Sequence, residues 1–315
     1  MRQERFKFKL KLKSDVFESN PSFYIEVLRI KAGITDCVLP FHPFKDVIAK
    51  YEIADDYEEI IEKDIKRSNE YKTLKNMDLD VIVSVTILDR VLSDLLIHPT
   101  VLVYVCNASK INKIRKKLKK IKELEMKAIL KRSMEYRLKV NEMEGKLLNY
   151  PECCISNFVE LKYKSMLGLT SPPETKLIME CLENNLLLKV LKLFENPDSL
   201  VDEIYSLFTS NFYPCSIECS KAMDMGKRYE EFLEGKYKKA YRCKLVLNAL
   251  YILLSAYNSY KFMKSPKTEY GQMVFKFFNN LSKSEINKIE RINKLVMMDI
   301  LDFENKYILM HLDYY

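Results

Sequence analysis

The sequence predicts a mostly helical α+β protein: a small α/β N-terminal domain over residues 1–106, a long basic connecting helix over 107–150, and an all-helical domain over 151–315. Three observations carry this. The runs VIVSVT at 81–86 and VLVYVC at 101–106 are rich in β-branched residues and read as buried strands. From Ile111 onward, Ile114, Leu118, Ile121 and Leu124 recur at helical spacing on a strongly basic background. Beyond residue 151 apolar residues keep that spacing, and Ser and Pro punctuate it where helices begin.

Taken in order, apolar residues alternate with Lys7, Lys9 and Lys11 from Phe6 to Leu12, the period of a strand with one wet face. Asn20 followed by Pro21 predicts a helix N-cap and first residue, with Gly33 as the stop. Between the two buried strands the pattern of ILDRVLSDLLIH predicts a helix. Asn107 or Ser109 caps the basic helix, which the periodicity carries to about Leu147. Ser171-Pro172-Pro173-Glu174 has the form of a capping box with Pro172 at the first helical position. Ser265 with Pro266, and Ser282 or Ser284, mark two further helix starts.

Composition limits the functions on offer. With 315 residues, 48% of them apolar, the chain can bury a sizeable core. Its longest apolar run, LVLNALYILLSAY at 245–257, is too short for a membrane span and predicts a buried helix. The opening MRQERFKFKLKLK has no continuous apolar region, which argues against a secretory signal and for the cytoplasm, with no membrane partner. Eight cysteines in that setting are expected to be free, metal-bound or redox-active rather than a disulfide framework. The six glycines never fall at the spacing of a phosphate-binding loop, and the three histidines, His42, His98 and His311, form no hydrolytic zinc pattern.

Charge is concentrated. Residues 107–147 carry fourteen Lys or Arg against five Glu, a net +9 where the whole chain is +8. Clustered lysines such as Lys113, Lys116, Lys117 and Lys120 suit phosphate contacts, so a nucleic-acid-binding module built on this helix is one reading. A solvated outer face of a half-buried helix is the other.

The chemistry-bearing pattern is cysteine. NYPECCISNF at 149–158 sets Cys153 and Cys154 just after a Tyr-Pro pair, and FYPCSIECSK at 212–221 repeats that lead-in before Cys215 and Cys219. Proline fits a helix start, so both motifs predict helix N-termini, where thiolates are favoured. On one helix, Cys215 and Cys219 would share a face at chelating spacing. Four convergent thiolates suit an iron–sulfur cluster or zinc. Adjacent cysteines are awkward for the tight shell of one ion, which favours the cluster. A thiol redox enzyme using Cys153 and Cys154 is a further alternative. Cys106, Cys181 and Cys243 read as packing residues, and Cys37 with His42 as a loop.

YPECC followed by Phe158, then FYPC with Cys219, Ala222 and Gly226, resembles an uncharacterised, largely archaeal group, domain-of-unknown-function family 483. The similarity extends to about Leu233. That family favours glycine before the first Tyr-Pro; here the position is Asn149, which also tolerates left-handed backbone after a helix. The resemblance implies that the four cysteines act as a unit and implies no particular activity.

Overall fold

The computed structural model describes residues 21–40, 57–88, 95–193, 202–209, 212–237, 252–263 and 266–298. The expected strand at 6–12 lies outside them, as do Asn20, His42, Cys243, Ser265 and His311. Two compact units form, one drawn mainly from Phe23–Leu167 and the other mainly from Gly168 onward.

In the first unit, helix α1 (Pro21–Lys31) begins at Pro21 as the sequence predicts. It stops at Gly33, whose φ of 69° lets Gly33 N–H bond the Ile30 carbonyl and Ile34 N–H bond that of Arg29. Then follow β1 (Cys37–Val38), α2 (Tyr57–Ile65), α3 (Asn69–Asn76), β2 (Leu79–Leu88) and β3 (Leu95–Asn107). The three strands form an antiparallel sheet in the order β1-β3-β2, with Cys37 opposite Cys106, Val81 opposite Val105 and Leu88 opposite Leu95.

That register corrects the helix expected over 87–98. Leu88 and Leu95 pair across the ladder, and the flanking residues of the pattern are strand. Where both faces of a sheet are covered its strands lose strict alternation, and the apolar spacing then imitates a helix. The sheet is indeed covered twice. Ile82, Tyr104 and Cys106 pack against Ile114, Leu118, Ile121, Val140 and Leu147, while Val81, Val83, Val103 and Val105, on the opposite pleat, are also buried.

Strand β2 lies at the sheet edge, where unpaired amides invite unwanted pairing. Two carboxylates on α2 cover it: Val85 N–H donates to Glu58 Oε1 at 2.6 Å and Val83 N–H to Glu62 Oε2 at 3.4 Å. The same carboxylates receive the basic segment. Arg115 grips Glu62 with both terminal nitrogens, at 3.1 and 2.9 Å, and Lys122 bonds Glu58 at 2.6 Å.

The single basic helix expected to reach Leu147 is two helices, α4 (Ile111–Leu130) and α5 (Met134–Leu147). Arg132 takes φ 48°, and the bonds Arg132 N–H to Ile129 O and Ser133 N–H to Ala128 O close α4. Asn107 caps the start, accepting from Ser109 N–H into a 3₁₀ turn over Ala108–Lys110. Helix α6 (Glu152–Met166) completes the unit.

Among the described residues the regular elements of the second unit are all helices: α7 (Pro173–Glu183), α8 (Leu186–Leu193), a 3₁₀ segment over Asp202–Leu207, α9 (Ser220–Tyr237), α10 (252–262), α11 (Glu269–Asn279) and α12 (Lys283–Met298). Helix α7 starts one residue later than expected, with Pro172 at the N-cap and no side-chain cap bond. Thr268, rather than the Ser265-Pro266 pair, caps α11 by accepting from Gly271 N–H. Ser282, one of the two expected starts, begins α12 and forms a capping box with Glu285, each bonding the other's amide. Among the described residues no helix is long and apolar enough to cross a membrane. The mostly helical α+β class stands.

Burial raises the Glu62 carboxyl, but its hydrogen bonds from Arg115 and Lys66 outweigh that and hold it below the usual range. Its contribution is therefore complete above the unfolded-state value of about 4.3 and is lost as pH falls through the lower folded value. Glu62→Gln should cost about 1–3 kcal/mol at pH 7. Urea midpoints at pH 7 and pH 3 check this: the variant should show the smaller acid loss.

Candidate metal centre

The first cysteine pair is placed by the join between α5 and α6. Asn149 sits at φ 60°, Asn149 N–H bonds Lys146 O, and Tyr150 N–H reaches back to Gly145 O, the double closure that ends a helix on a left-handed residue. The Asn149 side chain donates to Ile34 O at 2.6 Å, anchoring the join to the end of α1. Pro151 is then the N-cap of α6, its carbonyl accepting the first intrahelical bond from Ile155 N–H. Cys153 and Cys154 fall in the first turn, as the sequence predicts. Their sulfurs are 4.0 Å apart, with Cys154 buried and Cys153 half-buried. The two helices pack closely, since a Cβ on Gly145 would lie 2.9 Å from Ile155 Cγ1.

The second pair departs from expectation. Helix α9 starts at Ser220, so Cys215 is not in a helix and does not share a helical face with Cys219. Residues 215–219 form a turn instead. Ser216 explains it: its hydroxyl accepts from Glu218 N–H at 3.1 Å and its carbonyl from Cys219 N–H at 3.0 Å, a local alternative to helix that serine favours. Glu180 of α7 holds the turn from outside, accepting from Ser216 Oγ at 2.5 Å and from Ile217 N–H at 3.0 Å. Cys219 is the residue just before α9, and its carbonyl accepts from Met223 N–H.

The sulfurs of Cys153, Cys154, Cys215 and Cys219 all lie within 4.8 Å of one another. Among the described residues no other group of His, Cys, Asp or Glu comes together in this way. Such a cluster can hold a metal ion. The remaining described cysteines are packing residues of a different kind. Cys37 and Cys106 face each other on paired strands with sulfurs 3.3 Å apart, fully buried. Burial, then the neighbouring Cys106 thiol, pushes the Cys37 thiol up, and burial does the same to Cys181. Those thiols are held neutral. Lys113, Lys116 and Lys120 are exposed on α4 and Lys117 is half-buried.

A family model described as Protein of unknown function (DUF483) matches residues 83–248, more than half of the chain. The chain belongs to this family. No curated protein and no solved structure matches it. The DUF483 match runs from β2 past α9 and includes all four clustered cysteines.

Within the DUF483 region, sequence reasoning missed Glu180, whose role depends on a turn 36 residues away and leaves no local signal. Gly226 was visible only as a motif residue. Its reason is steric: a Cβ there would stand 2.1 Å from the Tyr205 carbonyl oxygen, so only glycine lets α9 pass against the 3₁₀ segment. Since neither side of this contact is a flexible side chain, Gly226→Ala should destabilise the protein by about 2–3 kcal/mol. A lowered urea midpoint in the variant checks it.

Proposed function

We propose that this protein holds a metal centre through Cys153, Cys154, Cys215 and Cys219. The observation that carries the reading is the mutual approach of four sulfurs to within 4.8 Å. Four thiolates brought this close repel one another strongly, and a cation at their centre removes that cost. Burial of Cys154 and Cys219 sharpens the need for it.

The spacing favours a small occupant. Bonds of about 2.3 Å in a tetrahedron place sulfurs about 3.8 Å apart, close to what these residues already offer. The adjacency of Cys153 and Cys154, which argued for a wider iron–sulfur cluster, is no obstacle, because their sulfurs stand 4.0 Å apart on the first turn of α6. A single tetrahedral ion, zinc foremost, is therefore the occupant we favour over the cluster. Four protein thiolates saturate such an ion and leave no position for a substrate, so the centre serves to hold structure. The role of Glu180 is to orient a ligand: through Ser216 and Ile217 it fixes the turn that presents Cys215 and Cys219.

Anaerobic purification followed by metal and acid-labile sulfide analysis tests the proposal. One zinc per chain without sulfide is expected, and Cys215→Ser should lose it. Iron with stoichiometric sulfide would replace the single ion by a cluster, and metal-free parent protein would end the proposal. Glu180→Ala should retain all four ligands yet bind about 10–100-fold more weakly, measured by competition with a chromogenic chelator.

A further inference from the structure

Helix α4 divides its residues among three faces. Ile114, Leu118, Ile121, Glu125 and Ala128 are buried on one. Arg115 and Lys122, seven apart, turn to Glu62 and Glu58 on a second. Lys113, Lys116, Lys117 and Lys120 follow one another at i, i+3, i+4 and i+7, and Lys127 and Lys131 continue that stripe on the third. Among the described residues none of these six lysines pairs with a carboxylate, and all but the half-buried Lys117 are exposed. The row runs about 27 Å along the axis. Two glutamates that might have neutralised the segment point inward: Glu125 bonds Thr86 at 2.5 Å and Glu144 bonds Tyr104 at 2.6 Å. On the outer face of α4 the exposed Glu123, between Lys120 and Lys127, is the one acidic residue against these six lysines, so the row stays strongly cationic where an ordinary solvated face mixes both signs evenly.

Both ends of the row have features a phosphate polymer can use. At the N-terminal end Lys113 and Lys117 line a cleft with Lys146, Thr35, Asp36 and Asn149. At the other end the ring of Tyr136 is flanked by Lys131 and Lys139, whose ammonium groups lie 5.4 and 5.7 Å from its centre.

We propose that the lysine stripe of α4 binds single-stranded nucleic acid, the lysines contacting successive phosphates and Tyr136 stacking a base. A flexible strand can follow a straight lysine row and turn a base onto an aromatic ring, while a duplex offers no open base face. The six lysines and Tyr136 include none of the four clustered cysteines.

Fluorescence anisotropy of the full chain with labelled 20-mer oligouridylate and oligothymidylate tests this. Four phosphate contacts predict a log–log salt slope near −2.8, an affinity loss of about fifty-fold between 50 and 200 mM salt. Combined Lys113→Gln, Lys116→Gln, Lys117→Gln and Lys120→Gln substitutions should abolish that slope and most of the binding, while Lys120→Gln alone weakens binding and Lys164→Gln, the same single-charge change on α6, leaves it unchanged. Tyr136→Ala should weaken binding about ten-fold at unchanged slope. A parent that binds neither strand at 50 mM salt, a quadruple variant that binds as the parent does, tighter binding of a duplex of the same length, or lysine-dependent binding to phosphatidylserine vesicles alone would each overturn the proposal.

Discussion

The first unit depends on the clamp between Arg115 and Glu62. A three-stranded sheet with β2 at its edge exposes backbone amides, and α2 meets them with Glu58 and Glu62. Two carboxylates drawn against a sheet edge need cations, and α4 supplies them from one of its faces. The bidentate grip sets the rotation of α4 about its own axis. With that fixed, its apolar stripe meets Ile82, Tyr104 and Cys106, and its lysine row is left pointing to water.

That rotation carries forward along the chain. Helix α5 returns from the turn at Arg132 and is tied to the sheet by Glu144 on the Tyr104 hydroxyl. Its left-handed end at Asn149 then sets where α6 begins and where Cys153 and Cys154 sit. The other cysteine pair is governed by separate contacts, the Glu180 clamp on the 215–219 turn and the glycine contact between α9 and the 3₁₀ segment. Each pair is therefore presented by backbone held on both sides.

Cysteine chemistry separates along the same lines. Cys37, Cys106 and Cys181 lie wholly inside apolar packing, where a thiolate is costly, and Cys37 and Cys181 are pushed toward the neutral thiol. Cys153 and Cys215 keep partial access to solvent, and Cys153 lies in the first turn of a helix, where the backbone dipole favours an anion. Cys154 and Cys219 are buried as well, so what separates the clustered four from Cys37, Cys106 and Cys181 is their position and their mutual approach, not burial or the residue itself.

Local signals in the sequence determined much of this protein. Pro21 and Gly33 bound α1, Asn107 caps the turn into α4, Ser282 and Glu285 close a capping box, and YPECC starts α6, because each acts on backbone groups within a few residues. The choice of the four cysteines was legible for the same reason, as a repeated Tyr-Pro lead-in. Tertiary structure alone decided the pairing of Leu88 with Leu95 against a helical pattern, the break at Arg132, the turn at Ser216 and the approach of the four sulfurs. In each of those cases the local preference was nearly balanced, since apolar spacing, proline and serine all permit more than one backbone path. For the strands burial of a second sheet face tipped the balance, and for the 215–219 turn the Glu180 carboxylate did, by contacts that sequence spacing does not encode.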